Sequence, residues 1–257
     1  MTFSIDTTTD THVHTSLCNH AVGTMEQYVR AAIERGLRRI VFLEHLELGI
    51  NYFHRTWLRE TDFRQYFQEG GELRKRFCKQ IDIWLGVEVG FNPDRIEELQ
   101  SWIDRYPFAY IGLSYHFYDT GREHLNMLSH KEHNLRALER IGLQKIVSEY
   151  FDALLLAIDT LPCDKVCHLD AVLRHHPEVY FAPEHWQQID RLLNKMARKK
   201  ILLEVNTSGY AHRNAPYPSI PLIRRAQELG VALVAGSDAH HPDQVGRFFS
   251  RLTALTS

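Results

Sequence analysis

Cysteine is scarce: Cys18, Cys78, Cys163 and Cys167 are the four in 257 residues. Their spacing matches no disulfide framework, so a reducing compartment and a cytoplasmic location are expected. No apolar run approaches the roughly 18 residues that span a bilayer, so no membrane partner is expected. The opening MTFSIDTTTD lacks the basic start and apolar stretch of a signal peptide. Positive charge is not in surplus either. With 30 Lys+Arg against 32 Asp+Glu, the formal net charge of −2 argues against a generic surface for polymeric nucleic acid. Repeats, low-complexity tracts and Gly/Ser/Pro-rich linkers are absent too. One α/β barrel commonly occupies about 250 residues, so 1–257 reads as a single domain. Histidine, by contrast, is abundant, with 16 residues. Metal binding is the first explanation to test.

Short β-branched or aromatic runs alternate with helical patterns along the chain. The runs are Thr8–His14, Arg39–His45, Ile81–Gly90, Ala109–His116, Lys165–Asp170, Ile201–Asn206 and Val231–Ser237. Helical patterns follow over 24–36, 61–79, 93–105, 134–160, 184–199, 218–229 and 242–252. Strict alternation implies a parallel sheet with right-handed crossovers. A doubly wound open sheet usually carries a Gly-rich phosphate turn after its first strand; this chain has Thr11-His12-Val13-His14 there. The expected fold is therefore a distorted (β/α)7 relative of the TIM barrel.

His12 and His14 are two apart on a strand and so share a face, which in a barrel is the lumen. The other runs end in His45, Glu88, His116, His168, Asn206, and Asp238 with His240, and His20 lies in the loop after the first. Every strand thus delivers a polar side chain to the C-terminal rim, where barrel active sites are built. Without Asn206 the set is seven histidines and two carboxylates, too many for one tetrahedral ion. Two or three divalent ions sharing a carboxylate are expected, and imidazole and carboxylate donors suit Zn, Fe or Mn.

The ordered motifs Asp10-x-His12-x-His14, Glu44-His45, Gly86-x-Glu88, Ser114-x-His116, His168-x-Asp170, Glu204-x-Asn206-Thr207-Ser208-Gly209 and Gly236-Ser237-Asp238-Ala239-His240 resemble the PHP (polymerase and histidinol phosphatase) superfamily, in its histidinol-phosphatase branch. The resemblance runs from His12 to about Gly246. It implies a trinuclear metal site that hydrolyses a small phosphomonoester, L-histidinol phosphate in the first instance, with a metal-bridging hydroxide as nucleophile. It further implies that His12, His14, Glu88 and Asp238 hold one ion, with Glu88 bridging to a second held by His116 and His168. His20, His45 and His240 would hold the third. Asp238, Glu88 and His240 are the expected catalytic residues, with Asp238 one candidate for protonating the leaving alkoxide.

Arg174 and Arg213 are expected to bind phosphate oxygens, with His212 and Asn206 as further substrate contacts. Asp10 is expected to support a ligand histidine, and Glu44 and Asp170 could do either job. Cys167, beside His168, should point into core. The other nine histidines should mostly be solvated, and His130-Lys131-Glu132-His133 should be an exposed helix start. The aromatic run from Trp57 to Phe67 should be helix packing. Segments 46–60 and 117–133 should arch over the site, with Tyr52, Phe53, Phe117 and Tyr118 free to sandwich a ring. An amidohydrolase-type barrel also opens with HxH and ends with Asp, but usually carries a carboxylated lysine at a strand end, and none stands at a strand end here. A metal-binding domain without activity is the remaining alternative, and the complete ligand set argues against it.

Overall fold

The computed structural model describes residues 5–172, 174–176 and 180–255. The first four residues, included in the search for a signal peptide, lie outside that set. Seven parallel strands form one sheet: β1 (Thr9–Val13), β2 (Arg39–Glu47), β3 (Asp82–Gly90), β4 (Ile111–Ser114), β7 (Lys165–Val166), β8 (Leu202–Asn206) and β9 (Leu233–Gly236), in that order. A short antiparallel hairpin, β5 (Phe117–Asp119) and β6 (His124–Asn126), stands apart from it. The sheet curls into a nearly closed barrel, as the alternation implied.

Strand β2 shows how side-chain alternation sets the layers. Ile40, Phe42 and Leu46 join the core between barrel and helices. Val41 and Leu43 instead pack with Tyr110 and Cys167 in a separate cluster that plugs the lumen. The period-2 rule then puts His45 and Glu47 above that plug, at the rim. Outside the barrel lie α1 (Met25–Glu34), α2 (Glu60–Phe77), α3 (Ile96–Arg105), α4 (Glu132–Ile141), α5 (Leu143–Thr160), α6 (Pro183–Lys199), the short α7 (Gly209–Arg213) and α8 (Ile220–Glu228). Thr24 and Gln27 cap α1 reciprocally. On α2 the aromatic run packs as expected: Phe63 and Tyr66 are fully buried, and the Tyr66 hydroxyl donates to the Phe42 and Gly86 carbonyls.

Three expected elements differ. The helix read over 134–160 is two, broken at Gly142, whose φ of 106° only glycine adopts without strain. The helix read over 242–252 is two 3-10 turns, Pro242–Gln244 and Phe249–Leu255. The fifth barrel strand, read over Lys165–Asp170, is only two residues long.

The seam between β1 and β9 has no full ladder. One isolated bridge joins Val13 to Ala239. Polar side chains do the rest: Thr11 Oγ1 donates to the Ala235 carbonyl at 2.6 Å, and Asp10 accepts from the Ser237 and Gly246 amides at 2.9 and 2.7 Å. Residues adjoining the site therefore close the barrel. Among the described residues, no helix is long and apolar enough to cross a membrane.

Candidate metal centre

The nine expected donors converge at the C-terminal rim. His12 Nε2 and His14 Nε2 lie 3.0 Å apart, each within 4 Å of Glu88 Oε2 and Asp238 Oδ1. The other Glu88 oxygen faces His116 Nε2 at 3.3 Å and His168 Nε2 at 2.9 Å. Nearer the surface, His20 Nε2 and His240 Nε2 are 2.8 Å apart, and these two form a candidate metal group with His45. His45 Nδ1 also lies 3.0 Å from Glu88 Oε2, so Glu88 touches all three groups.

Backbone strain aims two of these side chains. His168 and Asp238 have φ of 26° and 51°, a region non-glycine residues rarely adopt. Simple alternation on a strand would have placed His168 opposite Cys167; the strand instead ends at Val166, and the turn at His168 brings its ring inward. Cys167 is core as expected, but it sits in the lumen plug. The turn at Asp238 is clamped by Arg247, which donates to the Ser237 and Asp238 carbonyls. No motif in the sequence singled out Arg247.

An acceptor on Nδ1 holds a ring with its Nε2 lone pair turned inward, and four of the rings have one. His12 Nδ1 contacts both Glu204 oxygens, at 3.0 and 2.9 Å, and His116 Nδ1 contacts Glu47 Oε1 at 2.7 Å. His20 and His240 turn Nδ1 to the Cys18 and Asp238 carbonyls, each at 3.1 Å. Sequence reasoning missed Glu47 and the role of Glu204. Asp10, expected to support a ligand histidine, does so through the backbone: it accepts from the His12 amide, not from a ring. Glu44 accepts from the Thr15 amide and hydroxyl, with its second oxygen 4.0 Å from His14 Nδ1. Asp170 binds Arg213 and the Ser219 amide, away from the donor cluster.

These residues fit divalent cations. Glu88 Oε2 and both His45 ring nitrogens are buried and make no well-aligned hydrogen bond among the described residues, although His45 Nδ1 and Glu88 Oε2 lie 3.0 Å apart. Burial pushes the Glu88 carboxyl up, but His116, His12 and His45 outweigh it and hold it well below the usual range. Burial likewise opposes ionisation of Asp238, and His14, His12 and His240 more than reverse it. Burial keeps His14 neutral, with His45 and His240 adding to the effect. His12 and His116 resist burial and are shifted upward, His12 by Glu204 and Glu88, His116 to about 10 by Glu88 and Glu47. Protein groups alone thus balance their carboxylates by holding protons on two rings, a role bound cations take over. Cys18 lies with His14 and His240 in a further candidate group, but burial raises its thiol and Sγ donates to the Thr15 carbonyl.

A cavity of about 420 Å³ opens over the donors, within the range of small-molecule sites. Its walls include Glu47, Tyr52, Phe117 and Arg174, so segments 46–60 and 117–133 do overhang the centre. Phe53 and Tyr118, expected there too, do not line it: Phe53 is exposed, and the Tyr118 hydroxyl donates to Glu149. Three expected substrate contacts are engaged or placed elsewhere. Arg213 is bound to Asp170 and the Pro216 carbonyl and lies over the Tyr217 ring at 4.0 Å. The Asn206 amide is spent on Glu204 and Ser208. His212 is exposed on α7, outside the cavity wall.

Of the other nine histidines, most are exposed as expected, His54 and His130 among them at the cavity border, while three are buried. His124 and His185 use Nδ1 to accept from the Asn51 and Ala182 amides, and His176 faces the Leu135 carbonyl. The segment from His130 to His133 is exposed at the start of α4, as expected.

A histidinol-phosphatase of Bacillus subtilis is 27% identical to this chain over 257 residues, covering 92% of this chain and 95% of the relative. A solved Listeria monocytogenes structure superposes with a TM-score of 0.86 at 19% identity, covering 95% of this chain and 99% of that one. A Lactococcus lactis histidinol phosphate phosphatase, solved with Zn, L-histidinol and phosphate, gives 0.74 at 21% identity, covering 96% and 93%. The model for the PHP domain matches residues 10–208, and the one for the PHP-associated region matches 223–255. With the PHP match spanning most of the sequence, the chain belongs to the PHP domain family.

Proposed function

We propose that the chain is a metal-dependent phosphomonoesterase acting on L-histidinol phosphate, with three divalent ions (Zn, Fe or Mn) held by His12, His14, His20, His45, Glu88, His116, His168, Asp238 and His240. One observation carries this reading: nine imidazole and carboxylate donors meet around Glu88, with four rings turned Nε2-inward by acceptors on Nδ1. Relatives named histidinol-phosphatase support the substrate.

Divalent ions at these positions supply Lewis-acid activation of the phosphoryl group and of water, which removes the need for a serine or cysteine nucleophile. The protein's share is positioning and electrostatics. Arg174 borders the cavity beside the donors and suits a phosphate oxygen. Tyr52 and Phe117, with ring centroids 5.2 Å apart, offer an aromatic wall to an imidazole, and Glu47 offers a carboxylate to an ammonium group. Asp238, held ionised by its histidines, suits ligation and proton acceptance better than protonation of the leaving alkoxide.

The amidohydrolase alternative calls for a carboxylated lysine at the metal site, and Lys165, turned into the lumen at the start of β7, is instead bonded to Glu204 and Thr11 at the barrel floor. The test is phosphate release by the metal-loaded chain from L-histidinol phosphate and about twenty other phosphomonoesters. Turnover of histidinol phosphate that a chelator abolishes and Mn or Zn restores is the expected result. Preference for another monoester would overturn the substrate, and no turnover of any would overturn the activity.

A further inference from the structure

Lys165 is the one lysine among the largest fully buried side chains, with no exposed surface. Burying an ammonium costs several kcal/mol unless it is neutralised and fully hydrogen-bonded, so its partners show what it is for. Nζ lies 2.6 Å from Glu204 Oε2, 3.0 Å from the Thr11 carbonyl and 3.1 Å from Thr11 Oγ1. All three ammonium donors are thereby used. From β7 the side chain meets Glu204 on the neighbouring β8 and reaches across the lumen to Thr11 on β1, beneath the donor cluster.

Glu204 is equally committed. Its oxygens meet His12 Nδ1, Lys165 Nζ and Asn206 Nδ2, the last at 2.6 Å. A carboxylate held on three sides by donors has one fixed orientation and acts only as an acceptor. Facing it, His12 must carry its hydrogen on Nδ1 and turn Nε2 toward His14 and Glu88. Gly236 leaves the space: a Cβ there would come within 2.8 Å of Glu204 Oε1 and 2.9 Å of the His12 Cβ.

We infer that Lys165 is a positioning residue for the metal centre, acting through Glu204 to fix the tautomer and ring orientation of His12 from the barrel floor. The inference rests on the metal reading proposed above. Lys165 has no hydrogen bond to any of the nine proposed ligands and does not line the cavity, so its influence must pass through the hydrogen-bond chain.

The experiment compares wild type, Lys165→Met, Glu204→Gln and the double variant. Zinc affinity is read by competition with a chromophoric chelator, and the His12 tautomer by 15N NMR of the zinc-loaded protein. Lys165→Met is expected to weaken zinc binding by about 10–100-fold, the usual effect of losing an outer partner of a ligand. It should also blur the Nδ1–H signature of His12. Glu204→Gln alone turns an amide NH2 toward Nζ and is expected to weaken zinc binding too. In the double variant the neutral amide keeps an oxygen for His12 and leaves no buried charge unpaired, so most of the affinity should return. That rescue is something a merely space-filling lysine would not give, and if Lys165→Met does not fold, the double variant set against Glu204→Gln decides the matter. Zinc affinity and tautomer unchanged in Lys165→Met, or a double variant no better than Glu204→Gln, would overturn the inference while leaving the metal site standing. A wild-type chain that takes up no zinc would overturn both.

Discussion

Gly90→Ala tests the geometry of the centre through a residue that is not itself a donor. Gly90 closes β3 without a positive φ, so alanine meets no backbone obstacle. On backbone entropy alone the change should stabilise by about 0.4–1 kcal/mol. Space decides otherwise. A Cβ at Gly90 would lie 2.0 Å from the Glu47 carboxyl carbon and from both its oxygens. Glu47 is buried and bonded to His116 Nδ1 at 2.7 Å, so it cannot move aside without giving up that contact. Losing a charge-assisted hydrogen bond costs about 1.5–3 kcal/mol, and overpacking a filled site costs about 1–3 kcal/mol. Set against the entropic gain, net destabilisation of about 2–5 kcal/mol is expected, read from the urea midpoint at unchanged m-value. Metal affinity should fall by about 10–100-fold as His116 loses its partner. Gly71→Ala is the control: it sits within α2 with nothing within 4 Å of an added Cβ, and should stabilise by about 0.5–1 kcal/mol. A Gly90→Ala protein as stable as wild type, with unchanged metal affinity, would refute the placement of Glu47 against His116.

Three further outcomes are expected. Removing metal with a chelator should lower Tm by about 5–10 °C for each ion previously held at a hundredfold its Kd, by calorimetry, since such binding stabilises by about 2.7 kcal/mol; an unmoved Tm would speak against occupancy. Arg174→Ala should raise KM by about 10–100-fold through loss of a charged contact to phosphate, whereas Arg213→Ala should chiefly lower stability by freeing Asp170; steady-state kinetics showing the reverse order would reassign the two. In the metal-free protein, burial raises the Glu204 carboxyl, but His12 and Lys165 prevail and bring it down to about 2, against 4.5 when unfolded. A depressed carboxyl stabilises fully above 4.5 and loses that contribution as pH falls toward 2. Unfolding free energy of the wild type should therefore drop across that window, and more gently in Glu204→Gln; parallel profiles would contradict it.

The donors were legible because a strand end states two things at once, a side-chain direction and a position on the rim. Glu47 was lost to a boundary error. The second strand reads as ending at His45, yet β2 runs two residues further, and the same alternation that aims His45 inward aims Glu47 beside it. His168 joins the donor cluster by another geometry than the sequence suggests, since alternation places it by a strand that ends two residues earlier. Lys165 was illegible for another reason: nothing local distinguishes a lysine turned into the lumen, bound to Glu204 on the neighbouring strand and to Thr11 across it, from one that snorkels to solvent. Arg213 looks free in sequence because its partner, Asp170, is brought to it by turns that no periodicity records, whereas the Asn206 amide meets Glu204 two residues back on the same face of β8.

Fold and site could be read together because the same residues serve both. The seam between β1 and β9 lacks a ladder, so closure falls to Asp10, Thr11 and the backbone around Ser237 and Ala239. Those positions interleave with His12, His14, Asp238 and His240. Asp10 illustrates the coupling: one carboxylate accepts from the amides of His12, Ser237 and Gly246, and so ties the strand of His12 and His14 to the turn that carries Asp238 and His240. Lys165 adds a strut from the opposite wall, bonding Thr11 at the seam and Glu204 behind His12. A change that loosens the seam must therefore also displace donors. Metal binding at the proposed site, by drawing donors of β1 and the β9 turn toward a common point, would in return favour closure. Two motifs at opposite ends of the sequence are thus held to one geometry by a single physical requirement, the closing of an incomplete barrel around its own site.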